Sequence, residues 1–293
     1  MAGAIDPNLT WNLLSDIRQL FTFPFMVNAY RAGTIVAITA GLVGWFMVLR
    51  GQTFAGHTLA VVGFPGAAGA VLIGVSAHVG FFAFCLAAAL VIATLPRSGE
   101  RTFTEESAVI GTVQAFALAC GFLFVSLYQG NLNGINALLF GSFLGITRAQ
   151  VFTLAVLAAV AVGALALIAR PLLFASIDPD VAAARGVPVR ALSVAFLVLL
   201  GVAAAATSQI TGALLVFALL VLPAATAQRI TARPGLGAAL SVVLAIVVTW
   251  VGLAFGYYSS YPIGFYVTTL AFALYVAASA ATWVAGRGRW AVA

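Results

Sequence analysis

From about residue 27 onward the chain is built of long apolar runs separated by short polar segments. The runs are 27–49, 57–77, 79–96, 107–128, 150–174, 189–208, 210–229, 236–257 and 262–285. Each comes close to the ~20 residues an α-helix needs to cross the hydrocarbon core of a bilayer. The pattern predicts an all-α fold, a polytopic integral membrane helical bundle of nine transmembrane helices, with eight and ten as the neighbouring counts. A shorter apolar piece, 135–146, falls below that length and is expected to be re-entrant or interfacial. Ahead of the first run, Trp11, Leu13, Leu14, Ile17 and Leu20 recur near helical spacing, which predicts an amphipathic segment over 1–24. That stretch has neither the basic start nor the continuous apolar centre of a cleavable signal peptide. The organisation expected is a single membrane domain over 25–286 followed by a short tail, 287–293.

Composition strengthens the membrane reading. Of the 293 residues 63% are hydrophobic and 7% charged, too little charge to cover the surface of a soluble domain; the mean hydropathy is +1.15. All thirteen basic residues are arginine. A nucleotide-binding P-loop needs a lysine to reach the phosphates, so ATP hydrolysis and lysine Schiff-base chemistry are both outside this chain's reach. The chain is expected to be no enzyme. The net charge of +6 is spread between apolar runs and forms no cluster that would bind nucleic acid.

The arginines report topology instead. Arg50, Arg97, Arg101, Arg170, Arg185, Arg190, Arg229, Arg233, Arg287 and Arg289 all fall at alternate ends of nine spans, so one side carries them and should be cytoplasmic. The N-terminus, the 129–148 segment and "GYYSSYP" then lie outside; Arg18, Arg31 and Arg148 depart from the pattern. Acidic residues occur only outside the spans or at their edges, which argues against a proton-driven carrier. Cys85 and Cys120 sit far apart inside apolar runs and read as small buried hydrophobes rather than a disulfide or metal pair.

Three local features carry chemistry. Between the fifth and sixth spans lies "FASIDPDVAAARGVPVRAL", 174–192. Asp178 is suited to cap a helix, Pro179 to its first position, Asp180 to its positive dipole end and Gly186 to the place just past its last turn. The expected element is a short helix at 178–185 that includes Ala182 and Arg185. Such a helix can pass force to a partner or be a plain connector. Next, His57, one of two histidines, stands at the start of the run "GHTLAVVGFPG". Within that run Gly63, Pro65 and Gly66 form a candidate hinge, since proline removes a backbone hydrogen bond; close helix packing is the alternative role for these glycines. Finally, Asn28, Gln114, Asn136, Gln209 and Thr211 are polar groups able to line a translocation path or to hydrogen-bond between helices.

Taken together, "LLFGSFLGIT" (138–147), "IDPDVAAARGVPV" (177–189), "QITGALLVFALLVLPAATAQRIT" (209–231) and "YPIGFYV" (261–267) resemble the membrane permease of ABC-type importers for divalent metals, over about 27–285. The resemblance implies a bacterial cytoplasmic-membrane permease for zinc first, then manganese or iron(II), with no tightly bound cofactor besides the transported ion. It implies a homodimer or paired permease with a path on the two-fold axis, and a separate cytoplasmic ATPase pair seated on the 178–185 coupling helix. An extracytoplasmic metal-binding protein would dock on a face that includes 129–136 and 257–262. A permease for a metal chelate or organic cargo, and a stand-alone secondary transporter, are the alternatives.

The family's usual stretch at 56–66 reads Gly-Asp, Ala-Leu-Ser-His, a few apolar residues and Pro-Gly. Here Gly56, Leu59, Pro65 and Gly66 match, but His57 stands at the aspartate position and Val61 at the histidine position. Ser260 replaces the family's usual acid ahead of Pro262. Three roles are therefore open to His57: a transient metal ligand, a gating residue bonded to backbone at the helix start, or a vestige. Imidazole suits zinc, iron, nickel and copper better than a carboxylate does, and a homodimer would bring two copies together. His78 is expected to be an interfacial turn residue.

Overall fold

The structure, a computed structural model, describes residues 13–94, 103–128, 145–259 and 261–290. Among these, every regular element is helical. In chain order they are α1 (Leu13–Thr22), α2 (Pro24–Leu49), α3 (Thr53–Leu72), α4 (Ala77–Thr94), α5 (Phe103–Leu127), α6 (Arg148–Ile177), α7 (Pro179–Ala184), α8 (Val189–Thr211), α9 (Ala213–Ile230), α10 (Pro234–Tyr257) and α11 (Ile263–Trp290). Eight of these are long and apolar enough to cross a membrane, and the remaining apolar run gives the shorter α9. The nine runs of the sequence thus appear as nine apolar helices. The 135–144 part of the interfacial piece, Asn136, and the 95–102 loop lie outside the described residues.

Two helices form the centre. Buried residues make up 67% of the α2 span and 72% of the α3 span, against 11% for α11, which therefore lies at the periphery. α2 packs against α6, α8, α9 and α10, while α3 packs against α4 and α5, and α4 closes on α8. The end of α1 packs on the start of α2: Leu20 is buried and the ring of Phe21 lies 5.2 Å from that of Tyr30.

Small residues set the helix spacing, as membrane packing without a hydrophobic driving force requires. A Cβ on Gly44 would overlap the backbone carbonyl of Leu220 in α9, and one on Gly41 would come within 2.7 Å of the Val242 backbone in α10. Ser241 adds a hydrogen bond there, its hydroxyl donating to the Gly41 carbonyl at 2.8 Å. Gly44→Ala is accordingly expected to cost ~1–3 kcal/mol by overpacking, because the obstacle is backbone and cannot rotate away. Gly163 of α6 has nothing within 4 Å of its added Cβ, so Gly163→Ala should leave stability unchanged. Thermal melting of the two purified variants, followed by tryptophan fluorescence, checks the contrast.

The candidate hinge takes a continuous form. α3 runs through Pro65 without a break, so no opened turn offers its carbonyls beside His57. Gly63 lies against the Phe81 ring and Gly66 against the Gly80 carbonyl, each too close for a side chain. In this conformation they serve helix packing. The α8–α9 connection is instead where the backbone turns abruptly: a single residue, Gly212, separates the two helices with φ +82° and ψ 146°. An L-residue with a side chain rarely adopts that conformation.

Candidate functional site

α3 begins earlier than the apolar pattern suggests. After α2, Gly51 donates its N–H to the Val48 carbonyl and Gln52 to that of Met47, at 3.1 and 2.9 Å, so the chain reverses within a few residues. The helix then starts at Thr53 rather than at 57. This corrects the expected span 57–77: a tight turn with Gly51 at φ +66° lets polar Gln52 and Thr53 begin the helix. His57 is consequently in the second turn, about 7 Å of helical rise beyond Gln52.

The imidazole of His57 is half-buried. Its ring packs at an angle on Phe217 of α9, centroids 4.6 Å apart and planes at 63°. Nδ1 is buried and has no hydrogen-bond partner. The backbone bond that a gating histidine at a helix start would make is therefore not formed at this atom. A buried nitrogen without a partner carries a desolvation cost. Such an atom is poised to gain from any donor or cation that reaches it, since neutral imidazole keeps one lone pair free.

The neighbouring residues hold α3 in place. Thr58 donates its hydroxyl to Gln114 Oε1 of α5 at 2.8 Å, which brings Gln114 beside the histidine turn. The Cys85 thiol of α4 donates to the Leu59 carbonyl at 3.2 Å. Gly56 is pressed against the Met47 sulfur, so a larger residue there would require that flexible side chain to shift. One turn beyond His57, Val61 presents only methyl groups, half-buried. Among the described residues no three His, Cys, Asp or Glu side chains gather closely enough to hold a metal ion. Among the described residues, one copy of this chain thus offers His57 in this region without a coordination shell of three such side chains.

The other polar candidates are dispersed. Asn28 lies near the far end of α2, where its amide donates to the Ile146 carbonyl at 3.1 Å; it is about 30 Å of helical rise from the α2–α3 turn. Gln209 and Thr211 occupy the last turn of α8, just before Gly212 and the α9 helix that carries Phe217. His78 is exposed in the first turn of α4.

At the opposite side of the α2–α3 turn stands α7. Asp178 caps it, Oδ1 accepting from the Val181 N–H at 3.0 Å, and Pro179 takes the first helical position. At its other end Gly186, at φ +78°, donates to Ala183, while Val187 donates to Ala182 at 3.0 Å. This pair is the Schellman arrangement. Ala182 is fully buried, whereas Asp180, Arg185 and Gly186 are exposed. The helix is a capped knob between the ends of α6 and α8. Two participants escaped the sequence pattern. Phe217 is one of many aromatic residues in an apolar run, and Arg50 reads only as a topology marker until its contacts are seen.

Comparison with known proteins places these features. Residues 22–282 match the family described as "ABC 3 transport family". The chain is 28% identical over 244 residues to the manganese transport system membrane protein MntC of Halalkalibacterium halodurans, covering 83% of this chain and 82% of the other. It is 32% identical over 249 residues to the chelated iron transport system membrane protein YfeC of Yersinia pestis, covering 85% and 82%. Among solved structures, PsaBC from Streptococcus pneumoniae in complex with Fab superposes with a TM-score of 0.78 at 26% identity, over 90% of this chain and 94% of that one. An inward-facing, putative metal-chelate type ABC transporter shares the fold, with a TM-score of 0.67 at 18% identity over 89% of each chain. The matched region takes in every helix that crosses the bundle, His57 and α7, and the chain belongs to the ABC 3 transport family as a multi-pass membrane transport subunit rather than an enzyme.

Proposed function

We propose that this chain is the membrane permease of an ATP-driven importer for a divalent transition metal, with iron(II) and manganese ahead of zinc. The observation that carries the reading is the family match across 22–282 together with relatives named for manganese and chelated iron transport. Those names move manganese and iron forward from the order expected on sequence alone. Between the two, imidazole at position 57 favours iron(II), because manganese prefers carboxylate and carbonyl oxygen.

The architecture fits the division of labour. With no lysine for a P-loop, ATP is hydrolysed by a separate cytoplasmic pair of subunits, and α7 is the knob they grip. Asp178, Pro179, Asp180, Ala182, Arg185 and Gly186 form that coupling helix. The arginine-rich end faces the cytoplasm of the bacterial inner membrane. An extracytoplasmic metal-binding protein delivers cargo to the opposite face, which includes 257–262. A second permease copy, identical or paired, completes the path. His57 from two copies then contributes two donors where one chain has a single one. Sparse coordination suits a conduit, which must release its ion. Gln114, beside the histidine turn, is the polar candidate best placed to assist; Gln209, Thr211 and Asn28 belong to the far half of the path.

The test is ATP-dependent uptake of a metal panel into proteoliposomes that hold this chain, its cognate ATPase and its binding protein. Uptake of iron(II) or manganese that requires the ATPase supports the proposal. Uptake without the ATPase would make the chain a stand-alone carrier and overturn it. The lone donor favours a second reading, a chelated metal as cargo; stimulation of ATP turnover by chelates but by no free ion would select it.

A further inference from the structure

We infer that Arg50 is a positioning residue that passes movement of α7 to the start of α3, and so to the turn that carries His57. The inference deepens the proposed permease function and rests on it. Arg50 ends α2, and its guanidinium reaches three elements at once. One terminal nitrogen donates to Ser176 Oγ at 2.9 Å and the other to Ser193 Oγ at 2.7 Å, while Nε donates to Gln52 Oε1 at 3.2 Å. The charged carbon lies 5.5 Å from the centre of the Phe196 ring.

The places of these acceptors give the arrangement its meaning. Ser176 is two residues before Asp178, the cap of α7, and Ser193 is in the first turns of α8, just after it. Gln52 is the residue from which α3 starts. The guanidinium therefore joins the helix that enters α7, the helix that leaves it, and the turn five residues ahead of His57. Ser176 is itself fixed, its hydroxyl donating back to the Leu172 carbonyl, so its remaining lone pairs face Arg50. The planar fork of arginine makes these bonds in fixed directions, which lysine, with one point charge, cannot reproduce.

A cavity of about 290 Å³ opens between the α2–α3 turn and the α6–α7–α8 connection, bordered by Arg50, Gln52, Ser176, Pro179 and Ser193. α2 also packs along α6 and α8; beside this cavity its end is tied to the residues that flank α7 by the directional bonds of Arg50. Movement of α7 against the end of α2 therefore pulls on Arg50. That is what a strut between a partner-driven knob and a gate helix requires.

Arg50→Lys tests it, since lysine keeps the cytoplasmic positive charge but loses the fork. Reconstituted with the ATPase and binding protein, the variant should assemble and hydrolyse ATP at the basal rate. Metal uptake per ATP should fall about tenfold, in line with losing hydrogen bonds to a charged donor. Stimulation of ATP turnover by the loaded binding protein should be lost. The Ser176→Ala/Ser193→Ala double variant, which leaves Arg50 in place, should show the same split, and combining it with Arg50→Lys should add little. Uptake and stimulation within about twofold of the unmodified chain in the serine variant would overturn the inference. So would losses in the two variants that simply add, or a fall in assembly and ATP turnover together in the serine variant. The unmodified chain guards the underlying reading: if it imports neither free nor chelated metal, the permease proposal fails, whereas a transporting chain whose variants transport equally well sinks Arg50 alone.

Discussion

His57→Ala is expected to lower ATP-dependent metal uptake about 10- to 100-fold, the range seen when even the outer partners of a metal site are removed. The variant should still fold and bind its ATPase, because the buried Nδ1 makes no hydrogen bond and the half-buried ring gives up its contact with Phe217. A melting temperature close to that of the unmodified chain would establish this, and any loss of uptake would then belong to the path. His57→Asp is the more informative partner. It places there the residue type that the resemblance implies for this position and should shift preference from iron(II) towards manganese, since carboxylate suits the harder ion. The unpartnered Nδ1 makes a competing expectation available: if His57 were only a core aromatic, His57→Phe would be the benign substitution and would keep full uptake. A His57→Phe variant that imports like the unmodified chain removes the ligand role, and selectivity that does not move in His57→Asp removes the tuning role.

The membrane architecture was legible because apolar length is a direct consequence of the bilayer as solvent, and each of nine runs returned as a helix. What the runs concealed were the turns. Hydropathy marks position 57 as the start of a span, yet Gly51 and Gln52 begin α3 at Thr53 through backbone hydrogen bonds that hydropathy does not measure. The same blindness applies at Gly212, where one glycine at positive φ separates two helices inside an apolar stretch. α7 was readable almost residue by residue because caps are local chemistry: Asp178, Pro179 and Gly186 each satisfy or spare particular backbone groups. The node at Arg50 was not readable. Its partners lie 126 and 143 residues away along the chain, and only the fold brings serines from α6 and α8 to an arginine that ends α2. The close packing beside Pro65 was hidden for a related reason. The glycines on either side of it lie against Phe81 and the Gly80 carbonyl, and in this conformation the helix is continuous through Pro65.

Loosening α7 should uncouple the transporter. A helix of six residues is far too short to stand on its own propensity, since nucleation alone consumes most of a turn's gain. It stands because both ends are capped and because Ala182 is buried on the body of the protein. Asp178→Ala removes the bond to the Val181 N–H and costs about 1 kcal/mol. Gly186→Val forces a β-branched residue to φ +78°, where strain is of order 1–3 kcal/mol even though no neighbour stands in the way. Together the two changes come to about 2–4 kcal/mol, enough to lower the population of the formed helix roughly 30- to 1,000-fold if it stands free. The ATPase would then close on a segment that yields rather than transmits. The expected result for the double variant is ATP turnover that persists in the reconstituted complex while uptake per ATP falls by at least ~10-fold, with Asp180→Ala as a mild control worth a few tenths of a kcal/mol through the helix dipole alone. Protease protection of the 174–192 segment in the free permease gives the independent reading, because loosening should expose it to cleavage before any partner binds. Uptake per ATP that stays at the unmodified level in a double variant whose segment is demonstrably cleaved would mean that force enters the bundle elsewhere, and the coupling role of α7 would have to be given up.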